Sequence, residues 1–144
     1  MTRRFDQSRA PGHLLRRAHQ VSVDYFVAEV GANGLTPQQF ALLLMVAQHP
    51  GASQSALVRL TGIDRSTLAE MTRRLVARRL LARRRNASDG RANTLSITAS
   101  GRRLVAATMP AVARAQAQVL ALLPRTRRAA FIKDLRTLIE AGET

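Results

Sequence analysis

The chain has 144 residues, 46% of them hydrophobic, and carries 23 Lys and Arg against nine Asp and Glu for a formal charge of +14. That length suits one domain with its own core and is short for two. The absence of cysteine excludes disulfide scaffolds, thiol nucleophiles and cysteine zinc sites. The longest apolar run, Phe40 to Ala47, is under half of the ~18 residues a membrane span needs. Arg3 and Arg4 have no apolar stretch behind them, so no secretory signal is expected; no membrane partner is expected either, and the cytoplasm is the expected compartment. A GC-rich genome would explain why Lys133 is the only lysine, but not the excess of base over acid. The stretch Arg59 to Arg103 holds twelve arginines and three acids (Asp64, Glu70, Asp89), and such a concentrated block is an electrostatic footprint for a polyanion.

The first predicted element is a helix from His13 to Val30, with Leu14, Ala18, Val21 and Tyr25 on one stripe. Pro11-Gly12 marks its start, and Gly31 to Gly34 its end. Thr36-Pro37-Gln38-Gln39 opens the next helix, with Thr36 as N-cap, Pro37 in the first turn and Gln39 at the capping-box position. His49-Pro50-Gly51 closes it. Ser53 then caps a short helix that carries Ala56, Leu57 and Leu60 inward. Thr61-Gly62-Ile63-Asp64 interrupts that helix, with Gly62 free to turn left-handed. Asp64 caps a fourth helix reaching Arg79, in which Leu68, Met71 and Leu75 recur on one face. Helix, glycine turn and helix with a polar outer face make a helix-turn-helix.

Two short strands follow, Leu81 to Arg85 and Asn93 to Thr98, joined by the polar loop 86–92. A hairpin placed there is a wing. Thr98 caps a further helix from Ala99, which Pro110 should kink or split near Met109. A last helix after Pro124 carries Phe131, Leu135 and Leu138, with Ile132 and Ile139 beside them.

This order of parts resembles the MarR family of regulators over roughly residues 12 to 140. The residues that carry the resemblance are Leu35-Thr36-Pro37-Gln38-Gln39-Phe40, Thr61-Gly62-Ile63-Asp64-Arg65-Ser66-Thr67, Asp89-Gly90-Arg91, Leu95-Ser96-Ile97-Thr98 and Gly101. The fold expected is mainly α with a small β-hairpin wing: a winged helix-turn-helix over 36–98, flanked by dimerisation helices at 13–31 and 99–141, as one domain over 1–144. The resemblance implies homodimers on pseudo-palindromic operators, released by small anionic or phenolic ligands, with no cofactor.

A recognition helix reads base edges from its N-terminal half, which selects Arg65, Ser66, Thr67 and Glu70. Arginine suits guanine O6 and N7, and glutamate suits cytosine N4. Arg73 and Arg74, a turn further on, point to phosphate. Ser53 and Gln54, at the start of the preceding helix, suit a phosphate too, though capping alone explains Ser53. Arg91 is placed for the minor groove, and Asp89 for positioning an arginine. Arg83 and Arg85 alternate with Arg84, so at least one of the three is structural or solvated; Arg84 is retained for DNA.

The apolar seams of the flanking helices call for a second copy. His13, Arg16, His19 and Gln20 would meet an aromatic acid or its CoA thioester beside them; here too the link to aromatic acids comes from the resemblance. His13, His19 and His49 have no metal-chelating spacing, and no phosphate-binding glycine loop or nucleophile elbow occurs, so neither a metal site nor an enzyme is expected. A sequence-tolerant DNA-coating or nucleoid-type protein is the alternative that composition permits. Only five aromatics occur, none within the basic block, which argues for double-stranded DNA over unpaired strands. Repression is expected because a dimer this small acts most simply by occluding a promoter.

Overall fold

A computed structural model describes residues 4–31, 34–86 and 89–143, and the side chains of these except at 86–93. Six helices and one hairpin follow in order: α1 Pro11–Val30, α2 Pro37–Gln48, α3 Gln54–Thr61, α4 Arg65–Ala77, β1 Leu81–Asn86, β2 Asp89–Ile97, α5 Ala99–Ala121 and α6 Arg125–Gly142, with a 3-10 turn Gln7–Arg9 before them. The expected fold class, helical with a hairpin wing, is what forms. The chain divides into two compact units, one of residues 30–111 and one of residues 1–29 with 112–144.

In the unit 30–111 the local signals act as their chemistry dictates. Thr36 accepts from the Gln39 amide while the Gln39 side chain accepts from the Thr36 amide, a closed capping box. Ser53 caps α3 through the Ala56 amide, and Gly62 ends it at φ 70°, a conformation that costs glycine nothing. Leu42, Leu43, Leu57, Leu68, Leu75 and Leu81 are almost wholly buried, each worth about 1.5–3 kcal/mol relative to exposure. Around them α2 packs on α3 and β2, α3 on α4, and α4 on β1.

The hairpin is antiparallel, pairing Leu81 with Ile97, Arg83 with Leu95 and Arg84 with Thr94, with a register shift between Arg85 and Asn86. β1 runs on to Asn86 and β2 starts at Asp89, because these two residues pair beyond the shift and extend the hairpin. Thr98 lies just outside β2 and serves α5 instead, its Oγ1 accepting from the Gly101 amide at 3.0 Å.

Several expectations are corrected. α1 begins at Pro11, since proline and glycine are both tolerated in a first turn. α4 ends at Ala77, and Arg79 takes φ 58° in a Schellman closure, with Leu80 N–H on the Leu75 carbonyl and Arg79 N–H on the Val76 carbonyl. Leu60 is 39% exposed rather than inward, because a helix of two turns has only a narrow buried stripe. α5 is not split near Met109: it runs through Pro110, losing one backbone donor while the turns to either side keep theirs. Thr108, two residues earlier, is fully buried and donates to the Leu104 carbonyl at 2.7 Å.

In the unit of residues 1–29 and 112–144, α1, the end of α5 and α6 line one apolar groove of about 710 Å³. Glu29 joins α1 to α5: it accepts from Arg114 Nε at 3.0 Å and Gln118 Nε2 at 2.8 Å. These two hydrogen bonds, Arg114 first, hold its carboxyl below the usual range. Arg128 of α6 donates to the carbonyls of Leu123 and Ala121, closing the end of α5. Among the described residues no helix is long and apolar enough to cross a membrane.

Candidate nucleic-acid interface

The site grows from the start of α4. Asp64, extended at φ −63° and ψ 155°, accepts on Oδ1 from the Thr67 amide and Ser66 Oγ, both at 2.9 Å, and on Oδ2 from Thr67 Oγ1 at 2.7 Å. These bonds, chiefly those from Thr67, pull its carboxyl down to about 2. The carboxylate thus caps the helix and takes both hydroxyl protons, so Ser66 and Thr67 turn lone pairs outward as acceptors. Arg65, the first helical residue, reaches back across the turn, and its Nη2 donates to Ser55 Oγ of α3 at 2.8 Å. Its remaining donors keep the fork geometry that suits a guanine edge.

One turn on, Glu70 accepts from Arg73 Nη2 at 2.6 Å, Arg73 Nε at 3.1 Å and Arg74 Nε at 3.0 Å. The Glu70 carboxyl is held low by Arg73 first and then Arg74; Arg73 is raised in return. Glu70, expected to stand ready for cytosine, is therefore already engaged on both oxygens. Met71 and Leu75, on the opposite stripe, are buried, so the helix turns its charged side outward. Thr36, Gln38 and Gln39 of α2 face Ser66, Thr67, Glu70 and Arg74 across a shallow hollow of about 430 Å³.

Ser53 and Gln54 lie at the start of α3, and Gln54 lines a small cleft of about 80 Å³ with Thr72, Arg83 and Leu95. Ser53 is occupied as a cap. Arg84 is exposed on β1 and lines a groove with Pro50, Ser96 and Arg102. The side chains of Asp89 and Arg91 lie outside the described residues. The structure thus places Ser66, Thr67, Glu70, Arg73 and Arg74 on the outer face of α4, with Arg65 in its first turn reaching back to α3. Sequence reasoning missed Ser55, which no motif marks, and read Gln38 only as part of a helix opening: both enter because the fold sets Ser55 beside Arg65 and Gln38 across the hollow from α4.

The four candidate effector residues of α1 do not converge. His19 lines the apolar groove with Leu15, Ser22, Gln116 and Phe131. Gln20 Nε2 donates to Asp24 Oδ1 at 3.0 Å, and Arg16 is exposed. His13 Nδ1 is buried without a hydrogen-bond partner among the described residues. His13, Arg16 and Gln20 fall at i, i+3 and i+7, a different stripe from that of His19.

Comparison with known proteins gives the family. Residues 33–92 match the model of the MarR family. The HTH-type transcriptional repressor NicR of Pseudomonas putida is 30% identical over 139 residues, covering 96% of this chain and 88% of NicR. BpsR of Bordetella bronchiseptica, whose DNA binding is regulated by 6-hydroxynicotinic acid, matches with a TM-score of 0.86 at 31% identity, over 93% of this chain and 96% of BpsR. The transcriptional repressor CouR bound to a 23-mer DNA duplex matches with a TM-score of 0.82 at 32% identity, over 96% of this chain and 98% of CouR; CouR bound to p-coumaroyl-CoA gives 0.81 at 30%, over 96% and 97%. With a winged helix-turn-helix in its structure and relatives matched along almost its whole length, the chain belongs to the MarR family of transcription regulators.

Proposed function

We propose that this protein is a ligand-responsive repressor that binds a pseudo-palindromic operator as a cytoplasmic homodimer, with 1–144 acting as one MarR-type domain. The observation that carries it is the face of α4, where Asp64 fixes the orientation of Ser66 and Thr67 beside Arg65. Arg65 reads guanine; Ser66 and Thr67, as acceptors, suit the amino groups of adenine or cytosine. Glu70 belongs to the same DNA-facing set. Arg73, Arg74, Arg84, Ser53 and Gln54 track phosphate, and Arg91 with Asp89 serves the minor groove from the wing. Helices 13–31 and 99–141 form the dimer, covering the apolar groove.

The effector is a small aromatic acid or its CoA thioester. CouR bound to p-coumaroyl-CoA and the regulation of BpsR by 6-hydroxynicotinic acid support that class. His19, which lines the apolar groove, supplies a polar group for it, whereas His13, Arg16 and Gln20 lie on another stripe of α1.

Fluorescence anisotropy across a salt series tests the reading, with a duplex from the gene's own upstream region and a scrambled one. Two protomers per site and a preference of ~10³-fold or more mark a specific dimeric repressor. Aromatic acids or their thioesters added to that complex should release it. Equal binding to both duplexes, with a steep salt slope, would replace this reading with a DNA-coating protein.

A further inference from the structure

We propose that Glu70 is a specificity-determining residue that restrains Arg73 and Arg74 from the phosphates of non-cognate duplex, rather than a reader of bases. The proposal rests on the DNA-binding reading above. One carboxylate takes three hydrogen bonds, two from Arg73 in a fork and one from Arg74 Nε. A cytosine amino group would have to displace one of them.

The fold does not depend on these pairs. The side chains of Arg73, Arg74 and Glu70 are 69%, 67% and 46% exposed, and ion pairs so open to water add little stability. Their effect appears when a phosphate approaches. The three side chains together present a charge of +1 where two arginines alone would present +2. A phosphate must compete with Glu70 for each guanidinium while being repelled by its carboxylate. On non-cognate duplex, where phosphate contact supplies essentially all the affinity, this penalty falls in full. On a cognate site, the base contacts of Arg65, Ser66 and Thr67 fix the register of α4, so that Arg73 and Arg74 meet phosphate through the nitrogens Glu70 does not engage and the penalty is smaller. Glu70 therefore widens the gap between the two by weakening the wrong complex more than the right one.

The full-length Glu70→Gln variant tests this, titrated onto the upstream duplex and its scramble across a salt series. Scrambled duplex should bind roughly five- to tenfold more tightly near 0.1 M salt, with the slope steeper by about 0.9 for each phosphate gained. The preference for the upstream duplex should shrink accordingly. In an Arg73→Gln/Arg74→Gln background the same substitution should change nothing.

Weaker binding to the upstream duplex alone, with scrambled binding and slope unchanged, would make Glu70 a base reader and overturn the proposal. So would equal tightening in the double-glutamine background, which would mean that a negative charge was removed and no arginine released. Wild type and variant failing on both duplexes would overturn the DNA-binding reading itself, and this proposal with it.

Discussion

Gly101 shows how one residue ties three elements together. Thr98 Oγ1 lies 2.7 Å from the Arg79 carbonyl and 3.1 Å from that of Leu80, and accepts from the Gly101 amide. The end of α4, the start of β1 and the first turn of α5 therefore meet at one hydroxyl. A Cβ on Gly101 would collide with the Leu80 carbonyl oxygen and stand 2.7 Å from Ile97 Cγ1. Backbone cannot rotate aside as a side chain can, so Gly101→Ala must push α5 off the hairpin. Overpacking of this kind costs about 1–3 kcal/mol, which lowers the melting temperature by roughly 3–10 °C in a chain of this size. Thermal unfolding followed by circular dichroism measures it, and an unchanged melting temperature would refute the close approach. The sequence marks Gly101 only through a resemblance; its reason is invisible there, because Leu80 lies far back in the chain. Glu70 is the opposite case. Its spacing of three and four to Arg73 and Arg74 is written in the sequence, yet sequence reasoning sets Glu70 against cytosine and passes over the pairing that forms.

At the scale of elements, the caps were legible because a cap is a local event. Thr36, Ser53 and Asp64 each accept from the amide three residues on. Asp64 also gives α4 a pH dependence. Its carboxyl titrates at about 2 in the folded chain against an ordinary 3.8, so the folded state favours the charged form. The stabilisation is then fully present above about pH 4 and is lost as pH falls towards about 2. Carbon-13 titration should place this carboxyl well below the ordinary aspartate value of 3.8. Asp64→Asn keeps an acceptor and should flatten the stability change between about pH 4 and pH 2. Asp64→Ala should weaken operator binding at neutral pH, since Ser66 and Thr67 lose their anchor. A normal titration for Asp64, or full operator affinity in the alanine variant, would reject the cap as organiser of the DNA face. Helix ends without caps were less legible. α4 closes on Arg79, an arginine in a conformation that usually calls for glycine, and propensity gives no warning of it. Pro110 misled in the other direction: a proline reads as a break, yet in a long helix the neighbouring turns supply the continuity its ring removes.

For the whole molecule, the basic block and the order of parts were legible, since both are properties of the linear chain. The division into two units was not, because it falls at the last residue of α1, where no break is written, and inside α5 just after Pro110, where the sequence reads as a break in the helix but not in the domain. Of the apolar faces expected to need a second copy, Phe26 and Val30 of α1 are instead buried within the chain at 4% exposure each, whereas Leu138 and Ile139 of α6 are 54% and 55% exposed, with Leu14 and Leu122 at 48% and 58%, beside a groove walled by Leu15, Leu120, Phe131 and Leu135. Exposed apolar surface on this scale marks an interaction site. If a second copy covers it, operator binding depends on the seam although no residue of the seam touches DNA. A dimer engages two half-sites ~34–36 Å apart, and a lone protomer engages one. Leu138→Glu with Ile139→Glu places two carboxylates where both side chains are already more than half exposed, so folding is spared and association is not. Sedimentation equilibrium should show the wild type as a dimer and the variant as a monomer with unchanged helical circular dichroism. Operator affinity should fall by roughly a hundredfold or more as the second half-site contact is lost, while binding to scrambled duplex changes far less. A variant that stays dimeric and binds the operator as wild type does would show that α6 is not the seam; a wild type that is monomeric at micromolar concentration would remove the dimer altogether, leaving one recognition helix to account for all the specificity.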